Sequence, residues 1–369
     1  MHVRAFYSSI SSACGIAIFS RHLRCSLATH GIAVHEHNLR HARSVDPPDV
    51  VLLHYVPSGF VSEMAWAQLG RLLHQISSNS LVCVILHGLE PPIPVSCQRN
   101  GHLLTDPSQL KLLTLLERAD VIVALSRSVS KSWHVWQQNF NLSGQLFPLH
   151  HPGLFGNVRL TLSSSAYCFL GGISRAKKDS GSCRVSTLIS ACEQAGNPIW
   201  QHWTNIRSSP TTGVCLWKCT TGVLSDDDWA NAIAGAGTVL CPYDTQTQSV
   251  SGLLSEAVYA QRPILATSFA ISREFKSYAP RLVHIEDDLD KWPQILREIP
   301  AFPPGADLNS PPSWDDFAGT LADELRGLWM RSQERRRSSR CREKCSQRSS
   351  PCELISGDPT QETALDHAY

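Results

Sequence analysis

Residues 237–267 read GTVLCPYDTQTQSVSGLLSEAVYAQRPILAT, and this stretch decides the fold. An apolar strand pattern at 237–241 runs into a polar loop of small residues. A helical pattern begins at Gly252 and ends before Arg262, and a second apolar strand pattern follows. This strand–loop–helix–strand order predicts one βα unit of a parallel sheet.

The loop before Gly252 has the composition of an anion site, because free backbone N–H groups and the helix dipole both point into it. The natural anion is a diphosphate. Glu256 lies about one helical turn further on, where it could reach a ribose. Because its neighbours are apolar, this acid must be paired or functional. The alternative is a buried salt bridge to Arg262.

The rest of the chain repeats the same alternation. In the first half it predicts strands at 3–7, 32–35, 50–53, 81–86 and 121–124, with helices at 16–29, 61–75 and 108–118. In the second half it predicts strands at 167–171, 238–242, 264–266 and 282–284, with helices at 183–195, 226–233 and 252–260. Alternating strands and helices at this spacing predict an α/β protein with two Rossmann-like, doubly wound sheets facing a central cleft.

Proline pairs and changes in composition predict the domain boundaries. We expect an N-terminal domain at 1–155, a second Rossmann-like domain at 156–305 and a closing helix within 306–330. From residue 331 the chain is rich in Arg, Ser and Cys and has few aliphatic residues, which predicts a disordered basic tail at 331–369. Its basic block at 335–342 could touch nucleic acid or acidic lipid, the latter as a weak peripheral membrane contact, but a solvated tail is the preferred interpretation.

Composition excludes several classes of protein. The formal charge of +1 gives no global field for nucleic acid, so no nucleic-acid partner is expected. No apolar run reaches the roughly 18 residues of a spanning helix, and the N-terminus lacks the long apolar region of a secretory signal. The 13 cysteines are scattered and form no CxxC pair, which favours a reducing cytoplasm.

The acidic run Asp226-Asp227-Asp228 suggests a DxD metal site. The preferred interpretation is structural, because Ser225 is a helix N-cap residue and acids are favourable in a first helical turn. No metal site is therefore predicted.

Five segments, in order, resemble the retaining, family-4-like glycosyltransferases of the GT-B fold. They are Cys14–Leu23 (a glycine loop and first helix), Phe169–Lys178 (similar to GR-I-S-x-x-K), Gly222–Gly237, Pro242–Thr267, and Ser313–Phe317 (similar to SWxxF). The resemblance covers residues 1–330. It implies a nucleotide sugar, UDP- or GDP-linked, as donor, and a glycan, lipid-linked or small-molecule acceptor, as in cell-envelope or polysaccharide biosynthesis. No cofactor or metal is implied.

The resemblance also implies the site residues. Lys177 and Lys178 would stabilise the leaving diphosphate, and His87 would contact the transferred sugar or orient the acceptor hydroxyl. The donor-binding residues would be Gly15, Gly171, Arg175, Gln248, Ser249, Ser251, Gly252, Leu253 and Glu256.

Two positions depart from the family pattern. Gln248 stands where the first glutamate of Glu-x7-Glu is usual, and it keeps a hydrogen-bonding amide without the charge. Gly172 stands where an arginine usually faces the diphosphate, and a replacement cation among Arg175, Lys177 and Lys178 needs a new geometry.

Four other polar positions are candidates for ligand contacts or local structural roles. His54 ends the strand at 50–53 much as His87 ends the strand at 81–86. His150-His151 resembles the family's PHG segment, with a hinge or packing role as an equal alternative to ligand contact. Ser126 is expected to cap the helix that follows it.

Two other functions stay open. Gly172 and Gln248 both fit a GT-B-shaped binding protein with little or no catalysis. A nucleotide-sugar 2-epimerase on the same fold would need acids and histidines for proton abstraction, and no clear set is present.

Overall fold

The computed structural model describes residues 1–8, 15–39, 48–57, 63–76, 80–92, 107–155, 168–170, 199–203, 218–221, 224–243, 250–299 and 311–348. The chain divides into two compact units, residues 1–325 and 326–369. Both sheets lie in the first unit. The boundary predicted at 155/156 stays a prediction, because residues 156–167 lie outside the described ranges.

The N-terminal half (residues 1–155) forms a parallel sheet of six strands in the order β2-β1-β3-β4-β5-β6. Its strands are β1 (Val3–Tyr7), β2 (Val34–Asn38), β3 (Val50–Tyr55), β4 (Leu81–Leu86), β5 (Val121–Ala124) and β6 (Gln145–Pro148). Its helices are α1 (Gly15–Thr29), α2 (Glu63–Gln75), α3 (Pro107–Glu117) and α4 (Arg127–Phe140). Every residue of β3, β4 and β5 is buried, as expected for central strands covered by helices on both faces.

The C-terminal half (residues 168–299) forms a second parallel sheet of six strands, in the order β12-β11-β10-β7-β8-β9. Its strands are β7 (Cys168–Leu170), β8 (Ile199–Trp203), β9 (Lys218–Thr221), β10 (Thr238–Cys241), β11 (Ile264–Ala266) and β12 (Val283–Ile285). Its described helices are α5 (Asp226–Gly235), α6 (Gly252–Tyr259), α7 (Ala270–Tyr278) and α8 (Trp292–Glu298). The prediction of two doubly wound α/β sheets is confirmed.

Each sheet has one point where the strand order reverses. In the second sheet this switch point lies between β7 and β10, so the order is the 3-2-1-4-5-6 order of a Rossmann sheet. In the first sheet it lies between β1 and β3. Ligands of open α/β sheets bind outside the carboxyl ends of the strands at such points.

Several elements differ from the sequence prediction. Strands β6, β8 and β9 and helices α7 and α8 were not predicted, and β2 begins at Val34 instead of residue 32. Strands β8 and β9, IWQHW and KCTT, are short and polar, so they lack the apolar runs that marked the central strands. The helix predicted at 183–195 lies outside the described residues.

The C-terminal helix is longer than predicted. Helix α9 (Trp314–Arg348) continues through the segment that was expected to be disordered from residue 331, so that expectation is wrong for 331–348. Twelve of the 18 residues at 331–348 are Arg, Gln, Glu or Lys, and no Gly or Pro occurs before Pro351, so helix propensity favours its continuation. Within the described residues, no helix is both long and apolar enough to cross a bilayer.

The start of α9 packs against α1. The rings of Trp314 and Phe317 lie 5.0 and 5.9 Å from the ring of Phe19. His30 Nε2, just after α1, lies 3.0 Å from Asp315 Oδ1. These contacts bring the residues that follow the second sheet onto the N-terminal half.

Candidate functional site

The N-terminus of α6 lies just after the switch point of the second sheet. Ser251 caps this helix, and its Oγ accepts a hydrogen bond of 3.2 Å from the backbone N–H of Leu254. The Ser251 side chain is therefore used locally, and the Leu253 side chain is buried in the core. Any contact of Ser251 or Leu253 with a ligand would come from the backbone.

Glu256 lies one turn inside α6 and is partly buried. Its Oε2 accepts a hydrogen bond of 2.8 Å from the Trp229 indole Nε1–H on α5. Burial raises the pKa of Glu256 to about 7, the Trp229 bond opposes this shift, and the charge of Asp226 adds to it. The hydrogen-bond partner that the structure shows for Glu256 is Trp229 and not Arg262, and Arg262 is not among the groups that shift its pKa.

His151 lies directly against the first residue of α6. A Cβ added to Gly252 would lie 3.3 and 3.4 Å from Cε1 and Nε2 of the His151 ring, and 4.0 Å from Glu256 Oε1. His151 Nδ1 lies 2.8 Å from the Pro152 carbonyl oxygen. Because a carbonyl only accepts, Nδ1 carries the proton of the neutral ring and Nε2 keeps a lone pair. Burial lowers the pKa of His151 to about 4.

His87 and His54 form a buried pair at the carboxyl ends of β4 and β3. His54 Nδ1 lies 3.1 Å from His87 Nε2, so one ring donates to the other. Burial lowers the pKa of His54 to about 3 and also holds the pKa of His87 well below its usual value. Of the two His87 ring nitrogens, Nε2 is thus engaged by His54, so a ligand contact of this side chain would come from Nδ1.

The Phe19 ring joins these histidines into one cluster. Its centroid lies 4.6 Å from the His87 ring, 5.1 Å from the His151 ring and 5.7 Å from the His54 ring. Gly15, at the start of the same helix, has open space beside it, since an added Cβ would have no neighbour within 4 Å. Helix α1 therefore connects the predicted glycine loop to all three histidines.

Two acids of the run at the start of α5, Asp226 and Asp228, make contacts within the protein. The Ser225 Oγ accepts from the backbone N–H of Asp228, so the predicted N-cap is confirmed. Asp226 Oδ1 accepts from Arg21 at 2.7 Å and lies 3.0 Å from His22 Nε2, both on α1. Among the described residues, no cluster of three or more His, Cys, Asp or Glu side chains could hold a metal ion.

A second contact joins the two halves at the N-terminus of α4. Both carboxylate oxygens of Glu274, on α7, accept from the backbone N–H of Arg127, at 2.9 and 3.1 Å. Ser126 caps the same helix through the Val129 N–H, as predicted. Sequence reasoning missed Glu274, because a cap supplied by a residue 147 positions away leaves no local signal.

The remaining predicted site residues lie outside the described ranges. They are Gly171, Arg175, Lys177, Lys178, Gln248 and Ser249. Sequence reasoning also assigned no role to Trp229, because a tryptophan in an amphipathic helix is ordinarily a core residue. The structure thus brings together Gly252, Glu256 and His151 at one helix start, and His87 with His54 nearby on Phe19.

No protein-family model matches the sequence, and no curated protein matches it. Solved structures do match the fold. One, assigned as a UDP-N-acetylglucosamine 2-epimerase from Listeria monocytogenes, has 10% sequence identity and a TM-score of 0.51, over 86% of this chain and 93% of that one. Another, an alpha-glucosyltransferase in complex with UDP-glucose and DNA containing an abasic site, has 12% identity and a TM-score of 0.51, over 80% of this chain and 89% of that one.

At these identities the two structures establish the fold. The chain has the GT-B fold of two Rossmann-like sheets, and the fold-level resemblance noted in the sequence is confirmed. A transferase and a structure assigned as an epimerase share it, so the fold alone does not choose between these reactions.

Proposed function

We propose that this protein is a glycosyltransferase that moves a sugar from a UDP- or GDP-linked donor to the hydroxyl of a glycan, lipid-linked or small-molecule acceptor, with retention and without a metal ion. The observation that carries the proposal is the start of α6. There the Ser251 cap, the bare Cα of Gly252, the unprotonated Nε2 of His151 and the carboxylate of Glu256 converge beside the switch point of a Rossmann sheet.

The helix start suits the leaving diphosphate. Negative charge grows on the diphosphate as the glycosidic bond breaks, so catalysis needs positive groups fixed at that position. The α6 N-terminus supplies backbone N–H groups and the positive end of a dipole. His151 is neutral there without an anion. A bound diphosphate would raise the pKa of its imidazole and favour a charged Nε2–H donor.

Glu256 suits the ribose of the donor. Its Oε2 is held by Trp229, which leaves Oε1 on the Gly252 side of the helix start. With a pKa of about 7 the side chain is partly ionised near neutral pH. Both forms can accept a hydrogen bond from a sugar hydroxyl, and the ionised form accepts more strongly.

The other roles rest on the family resemblance. Lys177, Lys178 and Arg175 would supply cations to the diphosphate in place of the arginine that Gly172 replaces. Gly171 and Ser249 would contribute backbone groups, Gln248 a side-chain amide, and Gly15 a close backbone approach. The acceptor hydroxyl would attack from the face that the diphosphate leaves, and the diphosphate would take the hydroxyl proton.

His87 would orient the transferred sugar through Nδ1. His54 acts on it indirectly, because the 3.1 Å contact between His54 Nδ1 and His87 Nε2 fixes the ring and limits its tautomers. Both rings are buried with lowered pKa values, so His87 serves this role as a neutral hydrogen-bonding group and not as a general base.

The experiment is a donor panel with product analysis. Purified protein is incubated with UDP- and GDP-linked sugars and acceptors, with a chelator present, and the products are identified by mass spectrometry. Glu256→Ala should lower donor use about tenfold or more, a loss of about 1.4 kcal/mol or more in transition-state terms. Glu298→Ala, which removes an exposed glutamate of α8, should leave it unchanged.

The outcomes separate the alternatives. Donor binding without hydrolysis or transfer would identify a non-catalytic binding protein, as Gly172 and Gln248 would allow. Interconversion of the donor at its C2 carbon would identify an epimerase. Turnover that is unchanged in Glu256→Ala would remove the ribose assignment.

A further inference from the structure

The positive charge of this chain is concentrated on the last part of α9. Residues 331–348 contain eight Lys or Arg and two Asp or Glu residues. The rest of the chain therefore holds 25 of the 33 basic residues and 30 of the 32 acidic ones, so it is net negative although the whole chain is +1. Such segregation of charge indicates a local binding surface for an anionic partner.

The helical backbone sorts these charges onto faces. Arg336, Arg340, Lys344 and Arg348 recur every four residues, so they occupy one face of α9, which we call the basic row. All four positions of the row are basic, and Glu343 borders them three residues after Arg340. At about 1.5 Å per residue, residues 331–348 extend over roughly 27 Å. A disordered tail would present no such row.

The same side of the helix also carries an exposed apolar residue. The Met330 side chain is 63% exposed, and it lies seven residues, two turns, before the exposed Arg337. Arg337 lies next to the basic row on the helix surface. A row of cations with an exposed methionine at one end fits a lipid surface, where the charges meet head groups and the apolar side chain enters the interface.

We propose that residues 330–348 of α9 form a peripheral docking surface for a membrane rich in anionic lipids, with the basic row facing the lipid. Nucleic acid offers the same negative charge, but it gives no reason for the exposed Met330. The surface does not depend on the proposed enzymatic activity. A lipid-linked acceptor would be brought to the enzyme by this contact.

Vesicle co-sedimentation of the full-length chain tests the proposal. The chain should bind vesicles that contain phosphatidylglycerol, should not bind vesicles of phosphatidylcholine alone, and should be released by high salt, which screens exposed charges. The triple variant R336Q/R340Q/K344Q should lower vesicle binding about tenfold or more, because each cation near an anionic surface contributes separately.

A matched triple variant tests the choice of face. R331Q/R335Q/R342Q removes the same charge from the opposite side of the helix, and glutamine preserves helix propensity in both variants. It should lower binding far less, and Met330→Ala should weaken binding without changing the charge. Circular dichroism confirms that each variant stays helical.

Three results would overturn the proposal. The first is no binding of the unaltered chain to anionic vesicles. The second is an equal loss in both triple variants, which would show that net charge and not the basic row matters. The third is tighter binding of a double-stranded oligonucleotide than of vesicles at the same salt, lost in the basic-row variant, which would assign the surface to nucleic acid.

Discussion

Glu256 shows how one acid is held in an apolar helix start. Its neighbours in sequence are aliphatic, and burial works against its charge. The Trp229 indole N–H satisfies one oxygen without supplying a countercharge, so the carboxyl keeps a pKa of about 7. A salt bridge would have lowered the pKa instead. The side chain is thus ready to accept from a sugar hydroxyl near neutral pH.

Glu256→Gln should stabilise the protein at neutral pH relative to the unaltered chain. The folded pKa is raised from 4.5 to about 7, so the unfolded chain ionises first as pH rises, and stability falls between these values. Glutamine does not titrate and keeps an oxygen for Trp229. We expect a difference of unfolding free energies that is near zero below pH 4.5 and grows to roughly 3 kcal/mol above pH 7, measured by denaturant titration. A constant difference across this range would contradict the raised pKa.

Gly252→Ala should destabilise the helix start through His151. The added methyl would lie 3.3 Å from the His151 ring, so one of the two must shift, at a cost of about 1 kcal/mol. The double variant G252A/H151A should recover most of the loss, because the ring is gone. Thermal unfolding of the two single variants and the double variant gives this coupling directly. If the effects of the two single substitutions on stability are additive, the contact between the added methyl group and the His151 ring is not the cause of the loss.

At the residue scale, the sequence identified the acid but not its environment. Glu256 and Gly252 were predicted because an isolated acid and a glycine at a helix start are local signals. Trp229 lies on α5 and His151 lies after β6. Their contacts with Glu256 and Gly252 depend on how those elements pack. Residue spacing along the chain does not predict these tertiary contacts.

Glu274 is the clearest contact between elements of the two halves. Its side chain is 6% exposed, and both oxygens accept from the first backbone N–H of α4. The carboxylate thereby occupies the positive end of the α4 dipole. His150 Nδ1 lies 3.6 Å from the same carboxylate. The α4 helix start is therefore satisfied from within the protein, unlike the start proposed as the donor site on α6.

Glu274→Ala should lower the unfolding free energy by about 1–2 kcal/mol, because it removes a helix cap and a favourable charge at a helix N-terminus. Glu274→Gln should cost less, since its amide oxygen can still accept from Arg127. Denaturant titration with Glu298→Ala as the surface control measures both. Equal, negligible effects of the two substitutions would show that the contact contributes nothing.

Prediction of elements succeeded where burial was complete. Strands β4, β5 and β11 have the predicted bounds and are buried along their whole length, because residues buried on both faces of a parallel sheet form continuous apolar runs. Strands β8 and β9 and the extension of α9 were missed because they contain no continuous apolar run. An outer strand or a solvated helix can form from polar residues. Helix propensity alone would have favoured α9 to residue 348.

Across the described residues, four buried histidines set the response to acid. The pKa of His54 is lowered to about 3 and that of His151 to about 4, and burial also lowers the pKa values of His87 and His22. The unfolded chain therefore takes up protons first as pH falls below 6.5, and stability is lost. Glu256 acts in the opposite sense between pH 7 and 4.5, but it is one group against four histidines.

The melting temperature should therefore fall steadily from pH 7 to pH 5, and His54→Gln should make the fall shallower. Each histidine that stays neutral in the fold contributes a slope of up to about 1.4 kcal/mol per pH unit. Thermal scans of both proteins at matched ionic strength provide the comparison. Parallel curves would show that His54 does not titrate on unfolding in this range.

The measurement that tests the central claim most directly is calorimetric titration of the purified chain with UDP- and GDP-linked sugars in the presence of a chelator. We predict saturable binding of at least one nucleotide sugar, weakened about tenfold or more by Glu256→Ala and unaffected by Glu298→Ala. If no member of either series binds, or if binding is the same in both variants, the α6 helix start is not a donor site and the proposed glycosyl transfer is contradicted.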